Sequence, residues 1–186
     1  RGETMTKIIL RPLILSDLDS YYDLNKPSRK FHEFNGPYFE HETEEELLQR
    51  IEVLRNDLTA GTYKSHNLMI ANADTNELIG QVTWHWKSKE TNWMEIGIVI
   101  FNEDYWHQGI GFTALKMWID KLFAEHDEIV RIGLTTWSGN KAMVKLAEKL
   151  GLKLEARYRK ARIVAGTYYD SVSYGILREE WEAMNQ

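Results

Sequence analysis

The feature that most constrains this chain is a change of pattern between Asn92 and Phe123. The apolar run "NWMEIGIVIF" ends in a polar, aromatic turn from Asn102 to Gln108. Gly109 and Gly111 follow, and then Leu115, Trp118, Ile119, Leu122 and Phe123 recur at helical spacing. Glycine weakens a helix by about 1 kcal/mol against alanine, so two of them at a helix start need a reason. A helix start exposes unpaired N–H groups and a partial positive charge. Glycines there let bare backbone approach an anion, and strand, glycine-rich turn, helix is a phosphate-cradling arrangement. The Walker A pattern GxxxxGK[ST] is absent, and the third glycine of a GxGxxG fingerprint is Ala114 here. That fingerprint normally opens a chain's first βαβ unit, whereas several strands precede this one. The alternative is that both glycines serve close packing of helix on sheet.

The flanking pattern predicts a mixed α/β domain. Strands are expected over Ile8–Leu15, Asn67–Ala73, Glu77–Trp86, Asn92–Phe101, Ile129–Trp137, Lys153–Val164 and Tyr168–Leu177. "DTN" joins the second and third into a hairpin, and "VAGT" turns between the last two. About four helices are expected. Ser16 would cap the first, over "DLDSYYDLNK", with Pro27 just past its end. Thr43 and Glu46 form a capping box for a helix from Glu44 to about Leu58, with Leu47, Leu48, Ile51, Leu54 and Leu58 on its apolar side. The glycine turn opens the third. Asn140 opens the fourth, which carries Met143, Leu146, Ala147 and Leu150 on one side and stops at Gly151. All three prolines, Pro12, Pro27 and Pro37, fall in the first fifth, where irregular structure is expected.

Composition removes several function classes. The chain has 186 residues, 43% of them hydrophobic, enough for one packed domain, here 5–186. Residues 1–4 read as a cloning remnant ahead of Met5. The formal net charge of −5 argues against a nucleic-acid or anionic-membrane binder. No apolar run reaches the length of about 18 residues that a membrane span needs, and no secretory pattern opens the chain. There is no cysteine, which excludes disulfides, thiolate zinc sites and a cysteine nucleophile, and fits a cytoplasmic protein. His85 and His107 lie 22 residues apart with no third ligand at metal spacing, so no metal is expected.

The stretch "EIGIVIFNEDYWHQGIGFTALKMW" resembles the central motif of the GNAT acetyltransferase superfamily, and "NKAMVKLAEKLGLKLEARYRKARIVAGTYYDSVSYGILREEW" is similar to its C-terminal part. The resemblance is nearest to the branch that acetylates ribosomal-protein N-termini (Rim-type). It is specific from about Glu77 to Trp181, and "LRPLILSDLDSYYDL" looks like the family's opening strand and helix. It implies a mostly antiparallel sheet of six to seven strands with splayed central strands, and acetyl-CoA as cosubstrate. The implied reaction is direct transfer of acetyl to a primary amine, on a peptide N-terminus or a small molecule, without a covalent enzyme intermediate. Family members often dimerise, so a homodimer is a candidate assembly. Two departures stand out. The family's leading Arg or Gln in the turn is Trp106, and its helix hydroxyl, often assigned to protonating the thiolate, is Met143. The second departure keeps a non-catalytic acetyl-CoA-binding or regulatory module as the rival reading.

The resemblance also assigns roles. Ile98, Val99 and Ile100 would pair with the pantetheine arm, with a freed N–H near Ile98 for the oxyanion. His107, Gln108, Gly109, Ile110, Gly111, Phe112 and Thr113 would wrap the pyrophosphate, and Asn140 would bind a pantetheine amide. Glu95 is the one carboxylate in its apolar run, on the face opposite Met94 and Ile96. It would take the amine proton, directly or through water. Gly97, inside a strand, implies a bulge or splay. Tyr158, Tyr168, Tyr169 or water would protonate the thiolate. Phe34 and Tyr38 lie in an aromatic, acidic loop with Phe31 and Phe39, and with Trp84 they would line the acceptor site. Trp84 and Trp86 share a face and also suit a core.

Overall fold

The computed structural model describes residues 5–185, so the segment read as a cloning remnant lies outside it. Among the described residues seven strands form one mixed sheet in the order β1-β2-β3-β4-β5-β7-β6, with five α-helices. The chain divides into two compact units. One holds the chain up to Val82 together with Ile98–Ile110, and the other holds Thr83–Gly97 and everything from Gly111 onward.

In the first unit β1 (Ile8–Arg11) pairs antiparallel with β2 (Leu68–Asn72), which pairs with the first half of β3 (Leu78–Ser88). β1 is shorter than its apolar run because the chain turns at Pro12 into a 3-10 turn, Leu15–Asp17. That turn also corrects the first helix start. α1 covers Leu18–Asn25, and Asp17 rather than Ser16 organises its approach. The buried Asp17 carboxylate accepts the Ile14 N–H at 2.9 Å and both ends of the Arg11 guanidinium at 2.7 and 2.8 Å. α2 (Glu44–Ala60) starts as expected, with Thr43 Oγ1 accepting the Glu46 N–H at 3.1 Å. Leu47 and Ile51 are buried and Leu54 and Leu58 pack on the core, but Leu48 is exposed. The positions 47, 51, 54 and 58 make the stripe, and 48 falls off its edge. Leu18, Tyr21, Phe31, Met69, Leu78 and Phe101 fill the rest of this core.

In the second unit β4 (Trp93–Ile100) pairs in parallel with β5 (Arg131–Trp137) at Met94↔Ile132 and Glu95↔Gly133. β5 runs antiparallel to β7 (Thr167–Leu177) along its full length, and β7 forms a hairpin with β6 (Lys153–Val164). α3 (Ile110–Glu125) buries Leu115, Trp118, Ile119, Leu122 and Phe123, the five residues picked out by periodicity. α4 (Lys141–Lys149) is stopped by Gly151 at φ +86°. A fifth helix, α5 (Arg178–Met184), was not expected. It is tied to the rest by Trp181, whose indole donates to Asp120 Oδ1 at 2.8 Å. Arg178, at its start, donates to the carbonyls of Phe123, His126 and Ile129, which close the end of α3.

Candidate functional site

The turn between β4 and α3 is built by side chains around it. Asn102 is buried; its Oδ1 accepts the Asp104 N–H at 3.1 Å and its amide donates to Glu77 Oε1 at 3.3 Å. The Tyr105 hydroxyl donates to Glu77 Oε2 at 2.5 Å and accepts from the Asn72 amide at 3.2 Å. Burial, and then the bond to Glu77, push the Tyr105 phenol above its ordinary pKa. Trp106 donates its indole N–H to the Ile100 carbonyl at 2.9 Å, closing the turn back onto the end of β4. The Gln108 amide donates to the Asp104 carbonyl at 2.8 Å. Within this brace His107 (φ +60°) and Gly109 (φ +76°) both adopt the left-handed region. His107, Gln108 and Gly109 are exposed, Ile110 is buried, and Gly111, Phe112 and Thr113 are half-buried. Ile98, Val99 and Ile100 are half-buried too, and Val99 packs on the first unit's core.

The two glycines have different reasons. Among the described residues a Cβ at Gly109 would meet the Met5 methyl alone, at 3.5 Å, so its requirement is the positive φ. Gly111 has no such φ, and a Cβ there would come within 3.2 Å of Leu146 Cδ2 on α4. One glycine shapes the turn and the other lets helices approach. The packing reading of the sequence therefore holds for Gly111, and backbone conformation is the requirement at Gly109.

Glu95 sits in the second unit, only 6% exposed. Strand alternation sends Met94 and Ile96 into the core and Trp93, Glu95 and Gly97 to the other face. Thr135 on β5 donates to Glu95 at 2.9 Å (Oε2) and 3.3 Å (Oε1). A hydroxyl has one hydrogen. With that hydrogen directed to Glu95, Thr135 Oγ1 accepts from Ser173 Oγ on β7, 2.9 Å away. Strand register brings these hydroxyls together, since Thr135 and Ser173 are directly paired. Neither was legible as functional, because an isolated Thr or Ser in a strand carries no signal. Gly97 has a steric reason: a Cβ there would lie 2.8 Å from Thr83 Oγ1 on β3. The boundary between the units also falls directly after it.

The remaining candidates are dispersed. Asn140 caps α4, its Oδ1 accepting the Met143 N–H at 3.2 Å. Tyr158 and Tyr168 are exposed, while Tyr169 packs edge-on against Trp137 at 4.8 Å. Phe34 is edge-on to Trp106 at 6.1 Å, so it lies against the turn. Tyr38 pairs with Phe39, and Phe31 is core against Phe101. Trp84 is edge-on to Trp86 and to His126, each at 5.2 Å, and alternation puts it on the opposite face of β3 from His85. Among the described residues no cluster of three His, Asp or Glu could hold a metal, and no helix is long and apolar enough to cross a membrane.

With this geometry in hand, comparison with known proteins is informative. Residues 7–153 match the model of the acetyltransferase (GNAT) domain. Over 113 residues the chain is 27% identical to the SPbeta prophage-derived uncharacterized N-acetyltransferase YokL of Bacillus subtilis (strain 168), covering 61% of this chain and 63% of that protein. Over 109 residues it is 29% identical to the uncharacterized N-acetyltransferase YoaA of the same organism, covering 59% and 60%. The chain thus spans less than two thirds of the curated relatives it matches. Among solved structures, a GNAT-family acetyltransferase from Bacillus anthracis superposes with TM-score 0.74 at 21% identity, covering 95% of this chain and 98% of that one. A spermidine N-acetyltransferase from Vibrio cholerae, in complex with CoA and spermine, superposes with TM-score 0.73 at 23% identity, covering 94% and 98%. At such identities these two show the fold alone.

Proposed function

The chain belongs to the GNAT acetyltransferase family, and from that premise we propose that it transfers acetyl from acetyl-CoA to a primary amine by direct attack, as one functional domain over residues 5–186. The observation that carries this reading is a carboxylate buried on β4, Glu95; a braced glycine turn that follows β4 in the chain and leads into α3 supports it. The residues present suit the cosubstrate. Left-handed backbone at His107 and Gly109 is exposed, so N–H groups there and through Thr113 can hold a pyrophosphate. Ile98, Val99 and Ile100 would take the pantetheine arm, with the N–H near Ile98 turned to the oxyanion. An oxyanion donor is typically worth about 3 kcal/mol of barrier. Asn140 would bind the pantetheine amide while it caps α4.

Glu95 accepts the ammonium proton so that the free amine can attack the thioester carbonyl. Carbon–nitrogen bond formation then breaks the carbon–sulfur bond and expels the CoA thiolate, which takes a proton from Tyr158, Tyr168, Tyr169 or water, and the second proton shed by the acylated nitrogen replaces the one given up. The acceptor is a peptide N-terminus or a small amine. The resemblance to the ribosomal-protein branch favours the first, and the spermine bound by the Vibrio cholerae neighbour favours the second. Phe34 and Tyr38 remain candidate acceptor contacts, and Phe34 also lies close to the turn, whereas Trp84, on the face of β3 opposite His85 and Glu95, does not suit that role. The deciding experiment is thiol release from acetyl-CoA with spermidine, tobramycin, triglycine and ribosomal-protein N-terminal peptides. Turnover with one of them supports the reading. Tight acetyl-CoA binding with no thiol release from any of them would favour the non-catalytic module.

A further inference from the structure

His85 stands on β3, on the same face as Glu95 on β4. Its Nε2 lies 3.9 Å from Glu95 Oε1, and its side chain is 64% exposed while that of Glu95 is 8% exposed. The carboxylate is therefore inside and the imidazole is at the water. The other hydrogen-bond partner of Glu95, Thr135, is exposed too, but a hydroxyl is a much weaker proton acceptor than an imidazole. With the Thr135 hydrogen directed to Glu95, Ser173 donates to Thr135 and the hydroxyls point toward the carboxylate. A base that is buried and reprimed every turnover needs an exit for each proton it accepts. The imidazole is the group beside it with a lone pair for the proton and a path to solvent.

We propose that His85 returns the proton from Glu95 to bulk water after each transfer, acting through Glu95. This rests on the reading of Glu95 as the base. The step balances simply. The ammonium N–H bond breaks and its proton goes to the Glu95 carboxylate. The Glu95 O–H bond breaks next, its proton passes to the His85 ring nitrogen, and the imidazolium releases a proton to water. The gap of 3.9 Å is crossed by a small rotation of the exposed ring or by one bridging water. The charged groups near this pair are Lys87, two residues along the same face of β3 and over the Trp93 ring, and Arg131 on β5, near enough to Glu95 to feel its charge. The groups packed from β5 and β7, Thr135 and Ser173, are neutral.

The test uses thiol release from acetyl-CoA with the fastest of spermidine, tobramycin and triglycine. His85→Ala should lower kcat about tenfold, at the low end for proton-transfer groups because water partly replaces the ring. KM for acetyl-CoA should stay unchanged. Added imidazole should restore most of the loss in His85→Ala but not in Glu95→Gln. Between about pH 6 and 9 the kcat profile should lose its imidazole limb in His85→Gln, the side on which activity falls as pH drops. Wild-type kcat in His85→Ala, or a loss that imidazole does not rescue and that leaves the pH profile intact, overturns the relay alone. Glu95→Gln at the wild-type rate overturns the reading of the base and the relay with it, as does failure of every amine to be acetylated.

Discussion

Glu95 is one charged group among buried apolar neighbours, and its use depends on what holds it. Thr135 supplies a donor to the ionised form and Ser173 fixes the Thr135 rotamer. Glu95→Gln keeps the shape and removes the basicity, so kcat should fall by about 10²–10⁴-fold with little change in KM for acetyl-CoA. Thr135→Val keeps the volume and removes the donor. A hydrogen bond to a charged group contributes about 1.5–3 kcal/mol, so a loss in kcat of about tenfold to a hundredfold is expected. Steady-state kinetics on the two variants checks both, and a Thr135→Val enzyme at wild-type kcat would show that the carboxylate needs no such anchor. Glu95 was legible because a lone carboxylate in an apolar strand is costly to bury. Thr135, Ser173 and His85 were not, because only strand register brings them to Glu95.

Elements were legible where the code is local. The Thr43 cap, the Gly151 stop and the apolar stripe of α3 each depend on a few neighbouring residues, and each lies where the sequence puts it. α5 was missed because it is held by distant partners: the Trp181 indole on Asp120, and Arg178 on the carbonyls beyond α3. The β6–β7 hairpin hides another such dependence. β6 loses register between Tyr158 and Arg162, where Lys160 takes φ +55°. Asp170 on β7 holds that irregularity, accepting the Lys160 N–H at 2.9 Å and the Arg157 guanidinium at 2.8 Å. Those bonds, the Lys160 N–H first, hold its carboxyl below the usual aspartate range. A lowered native pKa adds stability above the unfolded value of about 3.9, and that stability is lost as pH falls through the lower native value. Hydrogen exchange at the Lys160 amide should therefore be protected near neutrality and lose protection in strong acid, relative to the β5–β7 ladder. Asp170→Asn should lose that protection at every pH. A Lys160 amide equally protected in both proteins would mean that the bulge is held by something else.

For the whole molecule, the binding assignment has a thermodynamic consequence that does not depend on knowing the acceptor. A ligand that binds the native state alone stabilises it by about 2.7 kcal/mol at a hundred times its Kd. For a chain of this size that corresponds to a rise in Tm of about 5–10 °C. Acetyl-CoA should produce that shift, and NADH at the same concentration should not, which separates a pantetheine-and-pyrophosphate site from a general dinucleotide site. The glycines then locate the binding energy. Gly109 is exposed at φ +76°, and a Cβ there would make only ordinary contact with the Met5 methyl at 3.5 Å among the described residues, so Gly109→Val strains the turn without disturbing a core. Gly111 faces Leu146 at 3.2 Å, so Gly111→Val disturbs packing as well and is the poorer probe. Gly109→Val should thus lower the ligand-free Tm modestly and abolish most of the acetyl-CoA shift, with calorimetry giving a Kd weaker by about tenfold or more, the factor that each 1.4 kcal/mol of lost binding produces. A folded Gly109→Val protein that keeps the full shift would remove the phosphate role from this turn, and an NADH shift as large as that of acetyl-CoA would move the assignment from the thioester cosubstrate to dinucleotides.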